Sequence, residues 1–106
     1  MSYEFTQRMP SEGTCLVRSD TGGGYDWDVV EVWKRTSDGR LYMYAGVGCS
    51  CYGPYDGVRS WEDMEPVSHV SQVVAALRNQ YRAGQPDASR IIQWASTVSE
   101  ALNATA

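Results

Sequence analysis

The chain has 106 residues and, with thirteen acidic against nine basic side chains, a formal net charge of −4. This length favours a single domain whose core requires neither metal nor disulfide, and the acidic balance excludes the basic surface on which nucleic-acid binding depends. No stretch approaches the ~18 apolar residues of a membrane span, so we expect a cytoplasmic protein with its three cysteines reduced.

The first strongly patterned segment follows an N-terminal region that lacks a clear hydrophobic period. Residues 1–24 are expected to be irregular, except that GTCLVRS, residues 13–19, is compatible with a short strand. In DWDVVEVWKR, residues 26–35, alternation places Trp27, Glu31 and Trp33 on one face and Val30 and Val32 on the other. Because both faces are largely apolar, this segment is predicted to be a central strand.

A return strand is predicted after the turn TSDG, in which Gly39 supplies the positive φ angle. In RLYMYAG, residues 40–46, Leu41 and Met43 share one face while Tyr42 and Tyr44 share the other. The two strands together form a predicted β-hairpin over residues 26–46.

The C-terminal part of the chain is predicted to be helical. SWEDMEP, residues 60–66, is predicted to form one helical turn, and apolar spacing predicts amphipathic helices over about 68–83, capped at Gly84, and 87–103. Their short connection implies antiparallel neighbours. We therefore predict one α+β domain, residues 1–106, in which a small antiparallel sheet built on the hairpin 26–46 is packed by the helical hairpin within 68–106.

The three cysteines and the single histidine admit a zinc site as an alternative. Cys49 and Cys51 lie on one side of an extended backbone, and Cys15 with His69 completes a Cys3His ligand set. Because no second closely spaced pair exists, buried thiols that pack as small hydrophobes are the favoured interpretation. A disulfide between Cys49 and Cys51 is expected to be strained. His69 is expected to be a polar residue in the first turn of a helix rather than a catalytic base.

Aromatic side chains are the stronger functional signal. Eight of the twelve aromatic residues fall between positions 25 and 61, more than a small sheet is expected to bury behind two helices. Exposed tyrosine and tryptophan are typical of binding hot spots. The alternative is that these residues form the core and the outer sheet face. The predicted binding surface consists of Tyr42, Tyr44, Tyr52, Tyr55 and Trp61.

The segment 25–67 resembles a group of small proteins from actinobacterial phages and their hosts, for which no activity is assigned. The resemblance consists of a strand, a DG turn, a second strand and the loop motif formed by Gly48, Cys49, Ser50, Cys51, Pro54, Tyr55 and Asp56. It implies a phage or prophage origin in a GC-rich host, which agrees with eight arginines against one lysine. No functional residue is carried over from the group.

These features predict a non-enzymatic protein–protein interaction module, most simply a phage accessory protein acting on a host protein in the host cytoplasm. One alternative is a small zinc-binding protein, and another is a minor virion or assembly component whose partner is a phage protein. No cofactor is expected outside the zinc alternative. If Tyr42 and Tyr44 lie on an unshielded sheet face, a symmetric homodimer is also expected.

Overall fold

The computed structural model describes residues 2–23, 25–80 and 86–104. It has the predicted α+β class, with one four-stranded antiparallel sheet and three α-helices. The elements in chain order are α1 Ser2–Glu12, β1 Gly13–Asp20, β2 Asp26–Arg35, β3 Leu41–Cys49, a 3-10 turn Trp61–Asp63, β4 Glu65–Val67, α2 Val70–Arg78 and α3 Ala88–Ala104.

The sheet has the strand order β1-β2-β3-β4, so each strand pairs with its neighbours in sequence. Strands β2 and β3 form the predicted hairpin, and Gly39 at its turn has a φ of 72°. The N–H of Gly39 donates to the carbonyl of Arg35 at 2.8 Å, and the N–H of Arg35 donates to the carbonyl of Arg40 at 2.8 Å. The glycine is required there because other residues rarely adopt this left-handed conformation.

The expectation of an irregular segment before residue 13 was wrong, because the chain begins with helix α1. The apolar residues that define its buried face are Phe5 and Met9, one helical turn apart, and both are almost fully buried. A stripe of two residues is too short to establish a period from sequence. The predicted short strand after it is confirmed as β1.

Both faces of the sheet are covered, which confirms β2 as a central strand. One face packs against α2 and α3 through the core residues Val17, Val30, Val32, Leu41, Met43, Val67, Val73, Leu77 and Val98. The opposite face packs against α1 and the segment after β3 through Phe5, Met9, Trp33, Tyr42, Tyr55, Val58, Trp61 and Met64. We call these faces the helical-hairpin face and the α1 face.

The helices α2 and α3 run antiparallel, as predicted. Helix α2 begins beside β4 and ends near Gln80, which contacts Ser19. Helix α3 begins near Asp20 and ends beside Leu41 and Val67. The earlier end of α2, at Arg78 rather than 83, is a difference from the prediction, and the predicted cap at Gly84 lies outside the described residues.

Gln80, two residues after the end of α2, connects this end of the helix to the sheet. Its buried side chain accepts a hydrogen bond from the Ser19 hydroxyl at 2.9 Å. Its amide nitrogen donates to the backbone carbonyls of Ser19 at 3.1 Å and Asp28 at 2.9 Å. A buried polar group is stable only when it is paired in this way, so Gln80 fastens the end of α2 to β1 and β2.

Candidate recognition site

Three of the five residues predicted to form an exposed binding surface are buried. Tyr42, Tyr55 and Trp61 each retain only about 5% of their exposure. The physical reason is α1, because this helix and the segment after β3 cover the sheet face that the sequence had left open. For these three side chains the prediction of an exposed rim was wrong, and Tyr44 is half-buried.

Trp61 anchors the 3-10 turn against α1. Its ring meets Phe5 edge-on with centroids 5.5 Å apart, and its Nε1 donates to Glu12 Oε1 at 2.9 Å. The indole thus buries its apolar surface and pairs its single donor at the same time. This contact was not predicted from the sequence, because the contact depends on α1 and that helix was not predicted.

Tyr55 is held in place by Glu31 of β2. The Tyr55 hydroxyl donates to Glu31 Oε1 at 2.6 Å, and Trp33 Nε1 donates to the same oxygen at 2.9 Å. Arg18 Nε donates to the other carboxylate oxygen at 3.0 Å. Burial and the neighbouring Glu31 raise the pKa of Tyr55 well above its ordinary value. Since both oxygens of Glu31 accept hydrogen bonds from the chain, this carboxylate acts as a structural anchor for the loop.

The backbone at Tyr55 has a φ of 69°, a left-handed conformation that residues other than glycine rarely adopt. The Tyr55 ring stacks on Tyr44 at a centroid distance of 4.3 Å, which together with the Glu31 contact compensates this conformation. A cavity of about 370 Å³ lies beside the ring and is lined by Met9, Trp33 and Pro54 among others. Within the loop motif, Tyr55 is therefore an internal anchor between the exposed residues Pro54 and Asp56.

The cysteines do not form the predicted constellation. Cys49 and Cys51 are joined by a disulfide with Cα atoms 5.4 Å apart, so the expectation of three free thiols was wrong. A turn, in which the Tyr52 N–H donates to the Cys49 carbonyl at 3.3 Å, brings the two Cα atoms within the usual range for a bridge. Cys15 is the free cysteine.

The ligand set Cys15, Cys49, Cys51 and His69 is spread across the molecule. Cys15 is level with Trp33 of β2, whereas Cys49 pairs with Asp26, seven residues away along the same strand. At roughly 3.3 Å per residue, these seven residues place Cys15 and Cys49 about 23 Å apart along the strand direction. His69 follows β4 at the same far end as Trp33. Within residues 2–23, 25–80 and 86–104, no three potential metal ligands come together, so the Cys3His ligand set that the sequence offered as an alternative is not assembled.

Cys15 and His69 lie in different surroundings. Burial, and then the charge of Glu31, raises the pKa of the Cys15 thiol, which disfavours the nucleophilic thiolate. His69 is exposed at the N-cap of α2, where its backbone N–H donates to Gln72 Oε1 at 2.9 Å. His69 therefore lies at the start of a helix, as predicted.

Three apolar side chains remain exposed at one end of the sheet, where Asp26 of β2 pairs with Cys49 of β3. Tyr25 is 82% exposed, Tyr52 is 48% exposed and Val47 is 44% exposed. We call this end, defined by Tyr25, Val47 and Tyr52, the aromatic end. Tyr52 belonged to the predicted binding surface, and the sequence had identified Tyr25 only as one of the clustered aromatic residues.

The turn that carries Tyr52 at the aromatic end is supported from beneath by Trp27. Trp27 Nε1 donates to the carbonyls of Cys49 at 3.0 Å and Tyr52 at 2.8 Å, and its ring meets the Tyr52 ring edge-on at 5.7 Å. Gly48 is needed here because a Cβ at that position would collide with the Trp27 ring. Trp27 and the disulfide thus fix the turn that carries Tyr52, which lowers the entropy lost when a partner binds.

Comparison with known proteins places the chain in a family. The chain belongs to the family described as a domain of unknown function, DUF7574, whose model matches residues 14–105. This range includes all of the sheet except Gly13, the loop motif and both C-terminal helices, and it agrees with the expected membership of a group without an assigned activity. No curated protein and no solved structure matches the chain. None of the helices among the described residues is long and apolar enough to cross a bilayer.

Proposed function

We propose that this DUF7574 domain is a non-enzymatic protein-binding module and that the aromatic end is its contact surface. The observation that carries the proposal is the exposure of Tyr25, Val47 and Tyr52 together at one end of the sheet, while most other large apolar side chains of the hairpin are buried. Exposed tyrosines on a rigid support supply large contact area at low entropic cost, as binding hot spots do.

The charge of the molecule supports a basic partner. The net charge is −4, and the exposed acidic residues Asp20 and Asp26 lie at the aromatic end. Complementary charge accelerates association and selects among partners. A protein with a basic surface, including one whose nucleic-acid site would be covered, fits this description.

The biological setting is proposed from the resemblance of residues 25–67 to phage and prophage proteins and from the arginine bias of the sequence. In this setting the module is a phage accessory protein that acts on a host protein in the host cytoplasm. A minor virion or assembly component is the alternative use of the same surface. Mass spectrometry of purified particles separates the two, because only a virion component co-purifies with them.

The contact surface is tested by affinity capture from host lysate with wild type and with the double variant Tyr25→Ala/Tyr52→Ala. We expect the variant to lose the partners that wild type captures. The matched control is Ile92→Ala, which removes another exposed apolar side chain, 67% exposed, from helix α3. Equal melting temperatures must accompany the comparison, because Tyr52 also packs against Trp27. An unchanged set of partners for the double variant would refute the proposed surface.

A further inference from the structure

Strand β3 is an open edge over most of its length. Its partner on the outer side, β4, pairs only with Leu41, Tyr42 and Met43. Beyond Met43, no strand among the described residues pairs with the outer side of Tyr44–Cys49. This segment, YAGVGC, contains no charged residue and no proline, the features with which proteins usually protect an edge from pairing.

Two hydrogen bonds establish which backbone groups face outward. The N–H of Arg35 donates to Arg40 across the hairpin, and the N–H of Thr21 donates to the carbonyl of Asp28 toward β1. Odd-numbered residues of β2 therefore direct their N–H and C=O groups toward β3, because these directions alternate along a strand. Tyr44 lies opposite Glu31 and therefore directs its N–H and C=O groups toward β2. Because the directions alternate along β3 as well, the N–H and C=O groups of Ala45 and Val47 point away from β2.

A groove runs beside this edge on the helical-hairpin face. It has a volume of about 460 Å³ and lies between α2 and the ends of β2 and β3. Its floor includes Val30 and Val47, and its wall on α2 includes Gln72 and the small residues Ala75 and Ala76. A strand added to β3 would direct every second side chain into this groove, because side chains alternate between the two faces of a sheet. The remaining side chains would lie on the face of Tyr44.

The charge of the groove indicates the chemistry of its occupant. Glu65 is the exposed acidic residue that lines the groove, whereas Asp28 also lines it but is almost fully buried. No arginine, lysine or histidine is among the described residues of the lining. A segment that combines apolar with basic side chains is complementary to this lining. A second copy of β3 is a poorer match, because its edge segment YAGVGC has no basic residue.

We propose that the edge of β3 at Ala45 and Val47 binds an extended segment of a partner protein by β-strand addition, with apolar side chains in the α2 groove and basic side chains near Glu65. Main-chain hydrogen bonds supply affinity and the alternating pockets supply specificity in this recognition mode. The proposal rests on the proposed function, since Val47 belongs to the aromatic end.

The test uses a displayed library of random dodecapeptides selected on the full chain, followed by affinity measurements on the selected peptides. We expect them to alternate apolar with other residues and to carry net positive charge. Val47→Pro removes the outward N–H that the partner strand needs, without removing a bond to β2. It should weaken binding by at least about tenfold, whereas Val47→Ala, which keeps the N–H and shortens only a contacting side chain, should weaken it by a clearly smaller factor. Thermal melts check that both variants are folded.

Selected peptides that bind Val47→Pro as tightly as wild type would overturn the proposal, as would a selection without enrichment over a column lacking the protein. Amide shifts at Ala45 and Val47 that depend on protein concentration without peptide would assign the edge to a second copy and overturn the choice of partner. If Tyr25→Ala/Tyr52→Ala abolishes capture from lysate while Val47→Pro leaves it intact, strand addition fails and the proposed function stands.

Discussion

At the scale of single residues, Glu31 shows how one carboxylate positions a loop. The alternation of β2 predicts its place on the same face as Trp27 and Trp33, but its partners come from β1, β2 and the turn at Tyr55. A half-buried carboxylate is stable in this position because three donors replace the water that burial removes. Tyr55, which the sequence suggests as a binding residue, is instead held in the protein interior by this carboxylate.

The Tyr55→Phe substitution tests this anchor. Removing a hydroxyl that donates to a carboxylate should lower the free energy of unfolding by about 2 kcal/mol at neutral pH. The measurement is chemical denaturation. The matched control is Tyr52→Phe, because the Tyr52 side chain is half exposed, and its loss should be below about 0.5 kcal/mol. Equal losses for the two variants would contradict the anchoring role.

The pH dependence of stability gives a second readout of the same contact. The pKa of Tyr55 is raised in the folded state above its ordinary value of 10.0, so the unfolded chain loses the proton first. The stabilisation is therefore complete below pH 10 and is lost as the pH rises beyond it, by up to ~1.4 kcal/mol per pH unit for one proton. We expect the free energy of unfolding of wild type to fall more steeply above pH 10 than that of Tyr55→Phe. Parallel curves would show that Tyr55 titrates normally.

At the scale of elements, helix α1 decides what the aromatic residues do. It covers the sheet face that carries Trp33 and Tyr42, and its only deeply buried apolar side chains are Phe5 and Met9 among the described residues. Together with the segment after β3, this helix buries the face that the sequence predicts to be exposed. The family match begins at residue 14, so α1 lies outside the matched range.

Phe5→Ala measures the contribution of α1. The Phe5 side chain is fully buried and contacts Trp61, so its truncation should lower the free energy of unfolding by about 3–4 kcal/mol. Tryptophan fluorescence should shift to longer wavelength as Trp61 becomes solvated. Glu4→Ala, an exposed position on the same helix, is the control and should cost no more than about 0.5 kcal/mol. If Phe5→Ala lowers the free energy of unfolding no more than the control does, α1 does not contribute to the burial of this sheet face.

At the scale of the whole molecule, the condition for the expected homodimer is not met. That expectation required Tyr42 and Tyr44 on an unshielded face, whereas Tyr42 is buried and Tyr44 stacks on Tyr55. The open edge of β3 lacks the basic residues that would complement its own acidic groove. Both observations favour a monomer in the absence of a partner.

Light scattering across a concentration series tests the oligomeric state. We expect a mass equal to the chain mass of 11.8 kDa at all concentrations. Val47→Pro provides the control, because a dimer formed through the β3 edge would dissociate in this variant while a dimer formed elsewhere would persist. A wild-type mass near twice the chain mass would contradict the prediction, and the variant would show which surface is responsible.

The sequence by itself determined the α+β class, the hairpin of β2 and β3 with its turn at Gly39, and two helices at the C-terminus. These features follow from local periodicity and turn chemistry, which residues near in sequence specify. Tertiary structure alone decided which aromatic side chains are exposed, where β3 is left unpaired, and how far apart Cys15, Cys49 and His69 lie. Exposure and proximity are properties of packed neighbours, and those neighbours, such as Phe5 of α1 against Trp61, come from distant parts of the chain.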